Sequence, residues 1–390
     1  MIFREGTITS IESSWPGVCD TLVTITKAPK DAELLLPDTT IRAIGYTKLI
    51  GELSQGDKVR LEASALAKSL GTGGYATITA RLGDLPSDSL PDHHGHVVKA
   101  RYTPSQYMVS SVDEQDSPHH QLMARQRMLQ GQHVIVTDLH SAVPAIIAGI
   151  RHASPRLRVS YIYTDGGALP SWFSRICATL KQHDWITHTI TCGQAFGGDI
   201  EAASLPSALI AAQQVTHADV TVVAQGPGNL GTGTPYGYSG TDAGWALTCA
   251  HQLGGSPVMA LRLSASDQRD RHYGISHHTL TVLKDLTPVP VDVVLPVFGH
   301  NLDNKIGAWR EKTCSGTFNM LLSQQLESLP SIHTIKKHNT FGLDKALEAS
   351  PVKLSSMGRS YDQDPIPFLG AAAAGLYVGR DAIRRLRAQN

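Results

Sequence analysis

From residue 6 to residue 80, apolar and polar positions alternate in short runs at 6–11, 20–25, 40–46, 58–62 and 76–80. A period of two is the mark of a strand with one buried face. Turn signals separate the runs: Trp15-Pro-Gly17, Pro37-Asp38, Gln55-Gly-Asp57 and Gly71-Thr-Gly-Gly74. Strands this short and this evenly spaced predict a small β-barrel or sandwich over residues 1–97. Residues 85–92 read as a Pro- and Ser-rich linker, followed by His93, His94 and His96.

Beyond residue 97 the pattern changes. Continuous β-branched runs at 134–137, 158–163, 186–191, 219–224, 257–263 and 291–298 predict buried strands. Between them lie helical spacings at 141–152, 171–183, 199–215, 243–253 and 276–285, with Ser276 a good N-cap. Strand–helix alternation implies βαβ units, hence a doubly wound, mostly parallel, Rossmann-like sheet over residues 98–300. After residue 300 the pattern turns helical, at 302–312, 317–328, 342–349 and from Pro367 onward. Residues 301–390 are therefore expected to form a helical extension packed on the α/β domain.

Composition narrows the partners. The 390 residues carry 34 Lys+Arg against 34 Asp+Glu, so net charge is zero and nothing draws the chain to nucleic acid or a membrane. The five cysteines show no C-x-x-C spacing and read as reduced thiols, and no apolar leader opens the sequence; both point to a cytoplasmic protein. Self-association into a homo-oligomer stays open.

The chemistry collects after the strands. In an open parallel sheet, ligands bind outside the carboxyl ends of the strands. Those exits read Asp138-Leu-His-Ser141, Thr164-Asp-Gly-Gly167, Cys192 to Asp199, a glycine-rich loop at 226–240, and Ser264 to His272 leading to Ser276-His-His278. The loop QGPGNLGTGTPYGYSGTD stands between a strand and a helix, where backbone N–H groups and a helix N-terminus favour an anion. Gly226, Gly228, Asn229, Gly231, Thr232, Gly233 and Thr234 are its candidate ligand-binding residues. The loop contains G-x-G-x-x-G, but Pro235 and further glycines delay the helix, and no Gly-Lys-Ser/Thr makes it a Walker loop. A long structural turn is the alternative.

His140, Asp165, His277 and His278 are the candidate catalytic groups. His140 lies beside Asp138 as an acid, a base or a helix-entry polar residue. Asp165 suits a metal, a base, a ligand hydroxyl or a simple turn. The paired histidines at a helix start would stay neutral as donors or ligands. Ser141, Gly166, Gly167, Gly198 and Asp199 are neighbouring contacts, and Arg262, Arg269 and Arg271 are candidate clamps for an anion. No H-x-x-x-H or H-E-x-x-H spacing appears, so the metal and the cofactor remain unknown. These groups fit an enzyme, a hydrolase or group transferase acting on a small anionic or phosphorylated ligand. The alternative is a non-catalytic ligand or nucleotide sensor.

The motifs His140-Ser141, Thr164-Asp-Gly-Gly-Ala-Leu-Pro170, Gln194-Ala-Phe-Gly-Gly-Asp199, Gly226-Pro-Gly-Asn-Leu-Gly-Thr-Gly-Thr234 and Ser276-His-His-Thr279 occur together, with Gly71-Thr-Gly-Gly74 and Met357-Gly-Arg359. In this combination the chain resembles a bacterial family known as a domain of unknown function. The resemblance implies bacterial origin and that these motifs belong to one arrangement; it implies no activity.

Overall fold

A computed structural model describes residues 1–70, 73–83, 85–88, 95–303 and 314–389. Part of the Gly71-Thr-Gly-Gly74 turn, the second half of the 85–92 linker, His93, His94 and nearly all of the expected 302–312 helix lie outside these residues. The chain divides into two compact units, one of residues 1–92 with 100–108, the other of 93–99 with 109–390.

The first unit resolves the choice between barrel and sandwich. Strands β1 (Phe3–Trp15), β2 (Val18–Lys27), β3 (Thr40–Tyr46), β4 (Lys58–Glu62) and β5 (Ala76–Leu82) close into a barrel in the order β1-β2-β3-β5-β4. Only the β3–β5 pairing is parallel. Ile8, Val23, Ile25, Ala43, Val59, Leu61 and Ile78 fill its interior, as the alternation requires.

The second unit is built on an eight-stranded sheet in which every pairing is parallel. In chain order its strands are β6 (His133–Val136), β7 (Val159–Thr164), β8 (His188–Thr191), β9 (Ile200–Glu201), β10 (Val220–Gln225), β11 (Ser256–Ala260), β12 (Asp292–Val297) and β13 (Thr334–Asn339). Across the sheet they run β9-β8-β7-β10-β6-β11-β12-β13. From β6 the chain crosses in one direction to β7 and β8; from β9 it returns over β10 to β11 and beyond. Because parallel crossovers are right-handed, the helices of the two runs cover opposite faces. The helix Val143–Ala153 packs against the C-terminal helix Ile366–Gln389, while Asp242–Gln252 packs between Leu205–Gln214 and His277–Asp285. Among the described residues, no helix is long and apolar enough to cross a membrane.

Several elements differ from the pattern-based expectation. β13 falls in the stretch expected to be helical; its sequence, TIKKHN, leaves most positions exposed, so no apolar period marks it. The helix expected from residue 199 starts at Leu205, because Ser204 caps it and Pro206 fits only its first turn; β9 occupies 200–201 instead. The 171–183 segment opens with a 3-10 turn and becomes α-helical at Arg175, where Ser174 accepts the Cys177 N–H.

Candidate functional site

The reversal of crossover direction occurs around β6. Its two neighbours, β10 and β11, carry their helices on the opposite face. Crevices therefore open on both sides of the β6 carboxyl end. Asp138 and Ser141 leave β6, the glycine loop leaves β10, and residues 261–276 leave β11.

Between the exits of β6 and β11 lies a cavity of about 30 Å³, room for one or two water-sized groups. Ser141, Arg262, Ser264, Asp267, His272, Ser356 and Arg359 are among its lining residues. Arg262 is nearly buried, and its Nη1 donates to Asp138 Oδ2 at 3.4 Å and to His278 Nδ1 at 3.0 Å. Arg359 Nη2 donates to Asp267 Oδ2 at 3.1 Å, and Arg269 grips the same carboxylate through Nε at 2.9 Å and Nη2 at 2.8 Å. Against the cost of burial, the Arg269 bonds hold Asp267 well below the usual carboxylate range. Burial pushes Asp138 and Asp364 the other way. Ser264 donates to Asp364 Oδ2 at 2.6 Å, and Ser141 Oγ meets Ser356 Oγ at 2.9 Å. The two serine contacts and the Arg359 bond tie residues 355–364 to the sheet edge.

Three imidazoles stand beside this cavity. Ser276 caps the helix His277–Asp285, so His277 and His278 project from its first turn, and His272 comes from the 3-10 turn Asp270–His272. Ring centroids are 4.3 Å apart for His277–His278, 5.0 Å for His272–His277 and 5.2 Å for His272–His278. His278 stacks on Tyr238 at 3.7 Å with rings 2° from parallel. Burial, then the Arg262 charge, pushes His278 down to about 3 and His272 down to about 4. All three rings are therefore neutral near pH 7.

On the other side of β6 the glycine loop closes on itself. The Thr232 N–H donates to the Gly237 carbonyl at 2.7 Å, the Ser239 N–H to the Leu230 carbonyl at 3.1 Å, and Ser239 Oγ to Asn229 Oδ1 at 2.7 Å. Gly231 bridges Tyr238, and the Thr232 and Thr234 hydroxyls meet at 3.0 Å. Gly228 (φ 95°) and Gly233 (φ 80°) turn the chain. Gly226 is needed for close approach: a Cβ there would overlap the Tyr163 hydroxyl. Gly167 packs on the Gly226 carbonyl in the same way. The N–H groups of Leu230, Thr232, Tyr238 and Ser239 are taken up by oxygens of the loop itself, and Asp242 occupies the first turn of the following helix. Asp165 is exposed and accepts the Gln194 N–H at 2.8 Å. Gly166 lies between Gln225 Oε1 and the Asp242 carboxylate, whose pKa is raised by burial and by Asp165. Gln225 Oε1 is buried with no hydrogen-bond partner.

The candidate residues thus fall into separate sets. Asp165 follows β7 and the histidines follow β11, with β10 and β6 between. Three strand spacings, roughly 14 Å, part them. His140 is turned into the core: its Nδ1 meets Tyr161 Oη at 2.9 Å and its Nε2 meets Ser174 Oγ at 2.7 Å. Tyr161 commits its proton to the Ala224 and Gln225 carbonyls, so His140 Nδ1 is the donor and Nε2 accepts from Ser174. Burial drives His140 down to about 4. Asp199 is structural, accepting the Thr189 N–H and hydroxyl and pairing with Lys181, while Gly198 packs on Thr191. Arg269 serves Asp267, and Arg271 is exposed. Of the candidate clamps Arg262 lines the cavity. His272, Asp267, Tyr238, Ser356 and Arg359 join the site without having been singled out by the sequence; His272 is legible as part of the β11 exit and Arg359 as part of Met357-Gly-Arg359, whereas Ser356 carries no signal of its own.

Fold and site together define a parallel α/β protein with an arginine-, serine- and histidine-lined pocket at the carboxyl edge of its sheet. The model of the family described as protein of unknown function (DUF3866) matches residues 42–375, and the chain belongs to that family. No curated protein and no solved structure matches the chain.

Proposed function

We propose that this protein is an enzyme, a hydrolase or group transferase, that binds a small anionic ligand between the exits of β6 and β11. The observation that carries the reading is the pair Arg262 and Arg359 facing one cavity with the Ser141, Ser264 and Ser356 hydroxyls. Fixed guanidinium and hydroxyl donors at a crossover reversal suit a carboxylate or the end of a phosphoryl group. At about 30 Å³ the cavity takes the anionic head, and the rest of the ligand lies over the opening. Neutral histidines alongside supply lone pairs and N–H groups for proton transfer at neutral pH. This reading places the anion one strand away from the glycine loop, four of whose N–H groups, those of Leu230, Thr232, Tyr238 and Ser239, bond within the loop. A Rossmann-like nucleotide sensor is the weaker reading, because it leaves the histidine cluster unused.

The test is a thermal-shift and calorimetric screen of inorganic phosphate, pyrophosphate, small carboxylates, sugar phosphates and nucleotides on wild type and Arg359→Gln. Saturable binding by wild type that weakens at least tenfold in the variant supports the reading. Equal binding in both, or none from any anion, overturns it.

A further inference from the structure

The three histidines beside the cavity stand close enough to act on one ligand together. Each offers one ring nitrogen, and the three atoms lie within 4.8 Å of one another. His272 and His278 are buried and His277 is half-buried. His277 Nε2 is itself buried with no hydrogen-bond partner. A buried nitrogen without a partner is costly, and a bound ion would satisfy it.

We propose that His272, His277 and His278 form a binding site for a divalent transition metal of the zinc class. Imidazole nitrogen is the ligand type these ions favour, and three protein ligands with one open position is the arrangement of catalytic zinc. Metal–nitrogen bonds of about 2.0–2.1 Å in a tetrahedron place ligand atoms about 3.3 Å apart, so the rings close by an ångström or so around the ion. The framework for that closure is in place. Ser276 Oγ lies 2.9 Å from His272 Nδ1 and accepts the His278 backbone N–H at 3.3 Å, which fixes both residues from behind. Tyr238 fixes the plane of the His278 ring by stacking.

Arg262 Nη1 donates to His278 Nδ1 at 3.0 Å and to Asp138 Oδ2 at 3.4 Å. The nearby arginine charges oppose the ion, while the Asp138 and Asp267 carboxylates offset them. His272 lines the cavity, so the proposed metal site adjoins it. A water there would be acidified toward neutral pH. The metal site rests on the histidine geometry and stands whether or not the cavity holds an anion.

The experiment uses the full chain, stripped with chelator and dialysed into metal-free buffer. Co²⁺ is titrated while visible absorption is followed, then Zn²⁺ is added in competition; metal content per chain is measured in parallel. One equivalent of Co²⁺ with the intense absorption of a tetrahedral ion, displaced by Zn²⁺, is expected. His277→Gln changes the least buried ligand and should weaken Zn²⁺ binding at least about tenfold with an unchanged circular dichroism spectrum. His251→Gln, on an exposed position of another helix, should bind as wild type does. Substoichiometric or octahedral Co²⁺, or equal Zn²⁺ affinity in wild type and His277→Gln, overturns the proposal. The anion screen reads a different ligand and a different variant, so either idea can fail alone.

Discussion

His140 offers a sharp test of how the core of the α/β unit is held, through the dependence of stability on pH. Its ordinary value is 6.5, and burial lowers it to about 4. Between those values the unfolded chain binds a proton that the folded chain refuses. Stability therefore rises with pH across this window. The contribution is fully present above the unfolded value and is lost as pH falls through the folded one. Between about pH 7.5 and about pH 4.5 the two values give a loss of about 2.5 kcal/mol from this residue alone. The perturbation is His140→Gln, which keeps polar atoms near Tyr161 and Ser174 but cannot titrate. At neutral pH the variant should be less stable by about 1–3 kcal/mol, because the fit to both hydroxyls is imperfect. His272 and His278 titrate in the same window, but they contribute equally to both proteins. The assay is urea unfolding followed by fluorescence at several pH values in wild type and variant. The gap between the two curves should narrow by about 2.5 kcal/mol on acidification. A gap that stays constant would refute the assignment of His140 as a neutral, doubly bonded core residue.

The glycine loop separates two kinds of glycine. Gly226→Ala should sharply lower the melting temperature, because its methyl meets the Tyr163 hydroxyl, whereas Gly231→Ala should cost under about 1 kcal/mol, since only Tyr238 Cβ, at 3.7 Å, is near; similar losses in both would contradict the packing. Gly375→Ala should destabilise by about 1–3 kcal/mol by forcing the C-terminal helix off the Ile146 carbonyl, seen as a lower urea midpoint with unchanged slope. Of the five thiols, only Cys314 is exposed, so a thiol reagent should label one group quickly in the native protein and five after denaturation. Burial pushes Cys192 up to about 12, so a fast native reaction at Cys192 would show that the 192–199 turn is open.

The elements with a one-sided or fully buried pattern were legible from the chain. The barrel strands alternate, and β6, β7, β10, β11 and β12 are apolar runs because both faces of the sheet are covered. β13 was not legible, since an edge strand with polar residues on most positions has no period to read. For the site, the strand exits were legible but their lateral order was not. Placing β10 between β6 and β7 sets Asp165 beside Asp242 and away from the histidines. His140 reads as an acid, a base or a helix-entry polar residue because its partners, Tyr161 and Ser174, stand 21 and 34 residues away. Nothing local announces that a histidine will be enclosed by residues so distant. His277 and His278 were legible because Ser276 is a local N-cap signal, and a first-turn histidine is placed by the cap itself.

The pocket depends on a segment far from it in sequence, and helix packing explains how that segment arrives. Gly149 and Gly375 let the helices Val143–Ala153 and Ile366–Gln389 touch backbone to backbone, since a Cβ at either would strike a carbonyl of the other helix. Ser141 stands just before the first helix and Asp364 just before the second. Docking the helices therefore delivers residues 355–364 to the exits of β6 and β11, where Ser356, Arg359 and Asp364 bond Ser141, Asp267 and Ser264. The buried glycine contact and the arginine of the pocket are thus parts of one arrangement. A change that loosens the helix pair should also release Arg359 from Asp267, and with it one of the two guanidinium groups on which the anion reading stands.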